Sequence, residues 1–256
     1  MVCIYDSGVG GLTALRALRA AAPLTDVVYL GDTARVPYGT KDRETVCRYA
    51  AAALDYLASL SPEAILVACG TVSAVALPRL AGRYPMPVLG VADAGVREAL
   101  RLSPGGRIAV LGTEATVRSG YFEEAIRAAR PSATVRSVAC PLFVALAEAA
   151  MVAPDDPIPA LVAERTLSPL IGFSPEAIVL GCTHFPWLSP QISRLFPGAR
   201  LVDCGEAAVS ALLAHLPCGG SGSTRLLVTE GRESFLRTAH RMAGIFPGET
   251  VDTVTL

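Results

Sequence analysis

From Val2 to Asp203 short apolar runs alternate with amphipathic helical stretches, a pattern that restricts the chain to βαβ units on parallel sheets. "VCIYDS" (2–7) reads as a strand and "GLTALRALRAAA" (11–22) as the helix crossing over from it. "DVVYLGD" (26–32), "RETVCRYAAAALDYLASL" (43–60), "AILVAC" (64–69) and "PVLGV" (87–91) continue the alternation and close a first block. After "SPGG" (103–106) it restarts with strand "RIAVLGT", helix "GYFEEAIRAA", strand "TVRSVAC", a helical stretch opening "PLFVALAEAA", and a strand ending at Cys182. With 52% apolar but only 6% aromatic residues, the core has to be filled by Ala, Val, Leu and Ile, side chains suited to helix–sheet contacts.

Beyond the second block, "EAAVSALLAHL" (206–216) is helical and "CGGSGS" (218–223) reads as a flexible link. "TRLLVTEG", "ESFLRTAHRMAG" and "VDTVTL" then read as strand, helix and strand. Three elements are too few for a domain, so they are expected to return to the first block's sheet. The expected architecture is α/β: two pseudo-symmetric, flavodoxin-like, doubly wound domains with parallel sheets and the active site at their interface. The expected boundaries are 1–93 plus 205–256 for the first domain and 94–204 for the second.

"PEAILVACGT" (62–71) and "PEAIVLGCTH" (175–184) share Pro-Glu-Ala, an apolar strand and a terminal cysteine, so Cys69 and Cys182 stand as equivalents 113 residues apart. Open α/β sheets bind ligands beyond the carboxyl ends of their strands. A thiol placed there, just before a helix, meets backbone N–H groups and a helix dipole that favour the thiolate and lower its pKa. Two such thiols facing one molecule from opposite sides can take a proton on one face and give one on the other, which is what inversion at a carbon acid requires. A single strand-terminal cysteine more often merely packs. The matched pair, each followed by threonine within two residues, favours chemistry.

Other classes are disfavoured. The formal net charge is −1 and the basic residues form no stripe, so nucleic acid is not the expected partner; a small molecule is. The opening Met-Val-Cys-Ile enters a strand directly, with no leader-like segment and no 18-residue apolar run, which sets cytoplasmic as the expected location, with no membrane partner. Seven cysteines without a C-x-x-C, and three scattered histidines, suggest reduced thiols and no metal site. Lys41 is the only lysine and lies in the polar "GTKDRE", an unsuitable place for a pyridoxal aldimine, so no cofactor is expected. "SGVGG" has Thr13 where a dinucleotide loop needs its third glycine, and reads as a tight strand-to-helix turn.

Six ordered motifs carry a resemblance over nearly the whole chain: "YDSGVGGL", "GDTARVPYG" (31–39), "ACGTVSA" around Cys69, "LGTEATVRSGYF" (111–122), "CPLFVALAE" (140–148) and "GCTHFPWL" (181–188). In these the sequence resembles the cofactor-independent glutamate racemases of the aspartate/glutamate racemase superfamily. The resemblance implies Cys69 and Cys182 as catalytic thiols, with Asp6 and His184 as their polar partners and Glu148 as an acidic residue on the His184 side. It also implies that Ser7, Tyr38, Gly39, Gly70, Thr71, Thr116 and Thr183 hold the carboxylates and amino group of glutamate. Supply of D-glutamate for peptidoglycan is the implied role, and a homodimer is a further expectation. Asp6 is equally compatible with a helix-capping carboxylate, and "VPYG" alone with a structural turn.

Two departures qualify the match. Relatives usually carry Cys-Asn-Thr at the first thiol, whereas this chain has Cys69-Gly70-Thr71; one lost polar contact costs on the order of 1–3 kcal/mol. Another acidic amino acid such as aspartate is therefore the alternative substrate, and an acidic-ligand-binding or redox-sensing protein the alternative class. In "LVDCGEA" (201–207) Cys204 stands where relatives carry serine, as a small replacement or a further reactive thiol. Cys3, Cys47, Cys140 and Cys218 read as packing or bystander thiols, and His215 and His240 as structural or solvated.

Overall fold

The structure, a computed structural model, describes residues 1–216, 219–243 and 251–256; Cys218 lies outside the described residues. Among the described residues ten strands form two fully parallel sheets. They are β1 (Val2–Asp6), β2 (Val27–Gly31), β3 (Ala64–Val67), β4 (Val88–Gly90), β5 (Arg107–Gly112), β6 (Thr134–Ala139), β7 (Ala177–Leu180), β8 (Arg200–Asp203), β9 (Thr224–Val228) and β10 (Val251–Thr253). The larger sheet runs β10-β9-β2-β1-β3-β4 and the smaller β6-β5-β7-β8. The first four strands of each block are thus ordered second, first, third, fourth, the doubly wound order whose direction of winding switches between first and third strand. The thiol-bearing segments follow the third strand of each set, one beside β1 and the other beside β5.

Alternation of side chains across the pleat divides the interior. Val2, Ile4 and Tyr29 join a core that continues without a break into Ile108, Val110 and Ile178 of the smaller sheet. Cys3, Tyr5, Val28 and Leu30 face the other way, onto the helix Arg43–Ser59. That helix starts where Asp42 accepts a hydrogen bond from Thr45 N–H at 2.8 Å, and it buries Val46, Ala50, Ala53, Leu54 and Leu57 on one stripe. The helices Leu12–Ala21, Val91–Leu102 and Cys204–Leu212 pack between the sheets, and Gly95 gives Cys204 room at that junction. Cys204 is therefore a buried packing thiol, its pKa pushed up by burial. No helix among the described residues is long and apolar enough to cross a membrane.

Strands β9 and β10 join the outer side of β2, so the terminal elements do extend the larger sheet. The segment before β9 is less free than its composition suggests. Asp26 Oδ1 accepts hydrogen bonds from both the N–H and the hydroxyl of Ser221 and of Ser223, at 2.7–3.1 Å. These donors hold the Asp26 carboxyl well below the usual carboxylate range.

A depressed carboxylate pKa adds stability above the unfolded value, about 4, and that contribution is lost as pH falls through the native value. Asp26→Asn is expected to lower Tm by a few degrees at pH 7 and to the same extent at pH 5. The difference from the parent should shrink below about pH 4, which thermal melts across that range would reveal.

Candidate active site

The carboxyl ends of β1 and β3 face those of β5 and β7 across a cavity of about 270 Å³. Cys69 and Cys182 line it from the two sides, each two residues beyond its strand. The match between them ends there. Cys69 is the N-cap of helix Gly70–Val75, whereas Cys182 enters a turn leading into the 3-10 segment Phe185–Leu188, so only the first thiol adjoins an α-helix as expected. Proline at 186 and the turn bond from Phe185 N–H to Cys182 O at 3.0 Å account for the difference.

The surroundings of the two sulfurs are chemically unlike. Cys69 is buried and donates weakly to Ser7 Oγ at 3.4 Å. Burial pushes its thiol up to about 12 and the nearby Asp6 carboxyl adds to the rise, while Ser7 and the Val72 N–H oppose it. The expected lowering of this pKa is thus overturned, because desolvation outweighs the short helix. Asp6, at the end of β1, is fully buried; its Oδ2 accepts from Gly8 N–H at 2.9 Å and its Oδ1 has no protein partner among the described residues. Burial holds the carboxyl above its usual pKa against the pull of His184 and the N–H groups of Gly8, Gly11 and Ser7.

On the other face, Cys182 Sγ lies 3.7 Å from His184 Nδ1, and His184 Nε2 lies 3.5 Å from Glu148 Oε1, an ion-pair separation without hydrogen-bond alignment. Burial disfavours the imidazolium, yet Cys182, Glu148 and Asp6 together overcome it and raise His184 to about 10. The His184 ring lies beside Cys182, with the half-exposed Glu148 lining the cavity behind it.

Of the remaining residues singled out in the sequence, Ser7, Tyr38 and Gly39 line the cavity from the larger-sheet side, as do Gly70 and Thr71. Thr183 lines it from the other. Asp6 and Thr116 do not reach the lining: both are buried, Asp6 bonded to Gly8 N–H and Thr116 to the Thr113 hydroxyl. Thr113, unnoticed in the sequence, is the residue that opens onto the cavity. Its hydroxyl shares hydrogen bonds of 2.9 Å with both Thr71 and Thr116, joining the two sides. The signal was available, since Thr113 directly follows β5 as Ser7 follows β1.

Asp32 was also unnoticed. Wholly buried after β2, it accepts from the Tyr38 hydroxyl, from Arg35 Nε at 2.7 Å and from the Thr229 hydroxyl at 2.9 Å. It thereby fixes Tyr38 and ties the returning strand β9 to the site. Pro141, Val144 and Ala145 add an apolar wall. Lys41 is absent from the lining, and His215 and His240 are exposed.

Comparison with known proteins places this geometry in a family. Residues 13–212 match the model of the Asp/Glu/Hydantoin racemase family. The glutamate racemase of Aquifex aeolicus is 42% identical over 249 residues, 97% of this chain and 94% of that relative. The crystal structure of glutamate racemase from Francisella tularensis in complex with D-glutamate superposes with a TM-score of 0.92 at 30% identity, covering 99% of this chain and 97% of that one. That of Thermus thermophilus in complex with β-chloro-D-alanine gives 0.88 at 38% identity, covering 100% and 96%. In sequence, in fold and along nearly its whole length, the chain belongs to the Asp/Glu/Hydantoin racemase family.

Proposed function

We propose that this chain interconverts L- and D-glutamate, with Cys69 and Cys182 as the two bases, and that the D-glutamate formed serves peptidoglycan synthesis. The observation that carries the reading is that two thiols, at equivalent strand ends of two opposed sheets, line one cavity. Substrate specificity is supported by the glutamate racemases among the relatives and by the bound D-glutamate of one of them. The division into 1–93 with 205–256 and 94–204 is proposed as the pair of units that meet there.

In this reading one thiolate removes the Cα proton, forming S–H as C–H breaks, and the opposite thiol delivers its own proton to the other face of the carbanion. The resting pKa of Cys69 is too high for a base at neutral pH, so the substrate ammonium has to favour its thiolate by entering the cavity. Asp6 is the nearby carboxylate that assists proton movement at Cys69. On the other side the His184 imidazolium supplies positive charge 3.7 Å from the Cys182 sulfur, and Glu148 keeps it protonated. Ser7, Tyr38, Gly39, Thr71 and Thr183 provide hydrogen-bonding groups for the two carboxylates and the ammonium, with Thr116 acting through Thr113.

The raised His184 pKa generates one expectation. A group whose native pKa exceeds its unfolded value of about 6.5 contributes stability that is complete below that pH and lost as pH rises through about 10. NMR titration of His184 in the unliganded protein should give a midpoint near 10, and Glu148→Gln should move it down toward 6.5; a parent midpoint already near 6.5 would remove the charged partner from the scheme.

The reaction itself is tested by incubating the protein with L-glutamate in D2O without added cofactor. Deuterium at Cα together with decaying optical rotation is expected. Cys69→Ala and Cys182→Ala should each reduce racemization by roughly 10²–10⁴-fold. Near-normal turnover in both variants would exclude the two-thiol mechanism.

A further inference from the structure

Glu148, which lies 3.5 Å from His184, is the last residue of an eight-residue helix, Pro141–Glu148. The final turn of a helix leaves carbonyls without intrahelical partners and is the part that frays. This helix is stopped by a closed turn, in which Ala150 N–H bonds to Ala147 O and Met151 N–H to Leu146 O, both at 2.9 Å. Such a turn needs one residue in the left-handed region. The residue in place is Ala150, at φ 57°, where glycine would sit without strain. The stop therefore depends on support from outside the helix.

That support comes from the chain that follows Cys182. Gln191, in helix Ser189–Leu195, is 2% exposed, and its Nε2 donates to Val152 O at 3.3 Å and to Ala153 O at 3.1 Å. Both partners are carbonyl oxygens, so only the NH2 end of the amide can face them. Its Oε1 has no protein partner among the described residues, a cost that an apolar side chain in the same place would avoid. Arg194 adds a bond to Pro154 O at 3.0 Å from the exposed side. Toward its start the Glu148 helix is anchored by Phe143, which meets Phe185 edge to face with ring centroids 5.4 Å apart. Residues 185–194, into which His184 leads, thus hold the Glu148 helix at both ends. The two members of the ion pair are set relative to each other within the smaller-sheet side alone.

We infer that Gln191 is a positioning residue: by holding the turn after Ala150, it keeps Glu148 within ion-pair distance of His184. The inference rests on the reading of His184 as the charged partner of Cys182, and its consequence for the reaction falls on the Cys182 face. The titratable groups acting on the His184 ring are Cys182 from its own turn, Glu148 from the helix and Asp6 from the end of β1. Gln191 carries no charge and its amide bonds only to Val152 and Ala153, so its route to the ring is through the placement of Glu148. Without its donors the strained turn relaxes, the half-exposed carboxylate swings into water, and the imidazolium loses one of the groups that favour it.

The test is Gln191→Met, which keeps the length of the side chain and removes its donors, with the His184 midpoint followed by NMR titration of the unliganded protein. A fall of about one pH unit below the parent is expected, in the same direction as for Glu148→Gln. In the Glu148→Gln background, Gln191→Met should move the midpoint no further, because the partner it positions no longer carries charge. A role in packing alone predicts an altered Tm with the midpoint where the parent has it, and that result would overturn the inference. An equal fall with and without the Glu148 charge would overturn it too, since Gln191 would then reach His184 by another route. If circular dichroism shows Gln191→Met to be unfolded, Gln191→Leu carries the same expectations and is judged by the same two results. A parent midpoint already near 6.5 would instead sink the reading of His184 as a charged partner, and the inference with it.

Discussion

Burial raises the free energy of every charge it encloses, and the polar groups around this cavity are arranged in answer to that cost. Desolvation is the largest influence on Cys69, on Asp6 and on His184 alike. It wins at Cys69, whose thiol keeps its proton, and at Asp6, whose carboxyl is held above its usual value. It loses at His184, where a sulfur, a half-exposed carboxylate and a second buried carboxylate jointly favour the cation. The resting site therefore stores its protons unevenly, and the positive charge of an incoming ammonium would redistribute them.

The first four strands of each block share one order and place the thiols equivalently, but the chain following each thiol gives it different neighbours. Helix Gly70–Val75 begins at once after Cys69, with Ser7 and Asp6 supplied by the neighbouring strand end. After Cys182 the turn brings His184 back against the sulfur two residues earlier. One sulfur thus has a buried carboxyl supplied from across the sheet and the other an imidazole from its own loop. The threonine hydroxyls at 71, 113 and 116 join the two halves where neither carries charge.

Much of this was legible in the residues themselves. Apolar alternation gave the parallel sheets, and the repeated Pro-Glu-Ala strand located both thiols, because hydrophobic periodicity and turn chemistry are local properties. The resemblance added Asp6, His184 and Glu148, which the structure brings to the site. What escaped were relations between distant segments. Asp32 holds Tyr38 and Thr229 only because β2 and β9 are neighbours, and Thr113 replaces Thr116 at the cavity wall only because of how the chain turns after β5. The pKa of Cys69 misled for a related reason, since a helix start is visible in the sequence and the depth of burial is not.

That two unlike faces should serve a mirror-image reaction follows from thermodynamics. L- and D-glutamate have equal free energies in water, so the ratio of kcat/KM in the two directions is fixed at one whatever residues the enzyme employs. Nothing requires the individual kcat and KM values to agree, and a thiol backed by a buried carboxyl need not bind or reprotonate as one backed by an imidazolium does. The equality constrains the sum of the steps and leaves each step free. The geometric demand is narrower than chemical symmetry: both sulfurs have to reach the same carbon from opposite sides. Matched strands supply that direction of approach, one thiol at the carboxyl edge of each sheet.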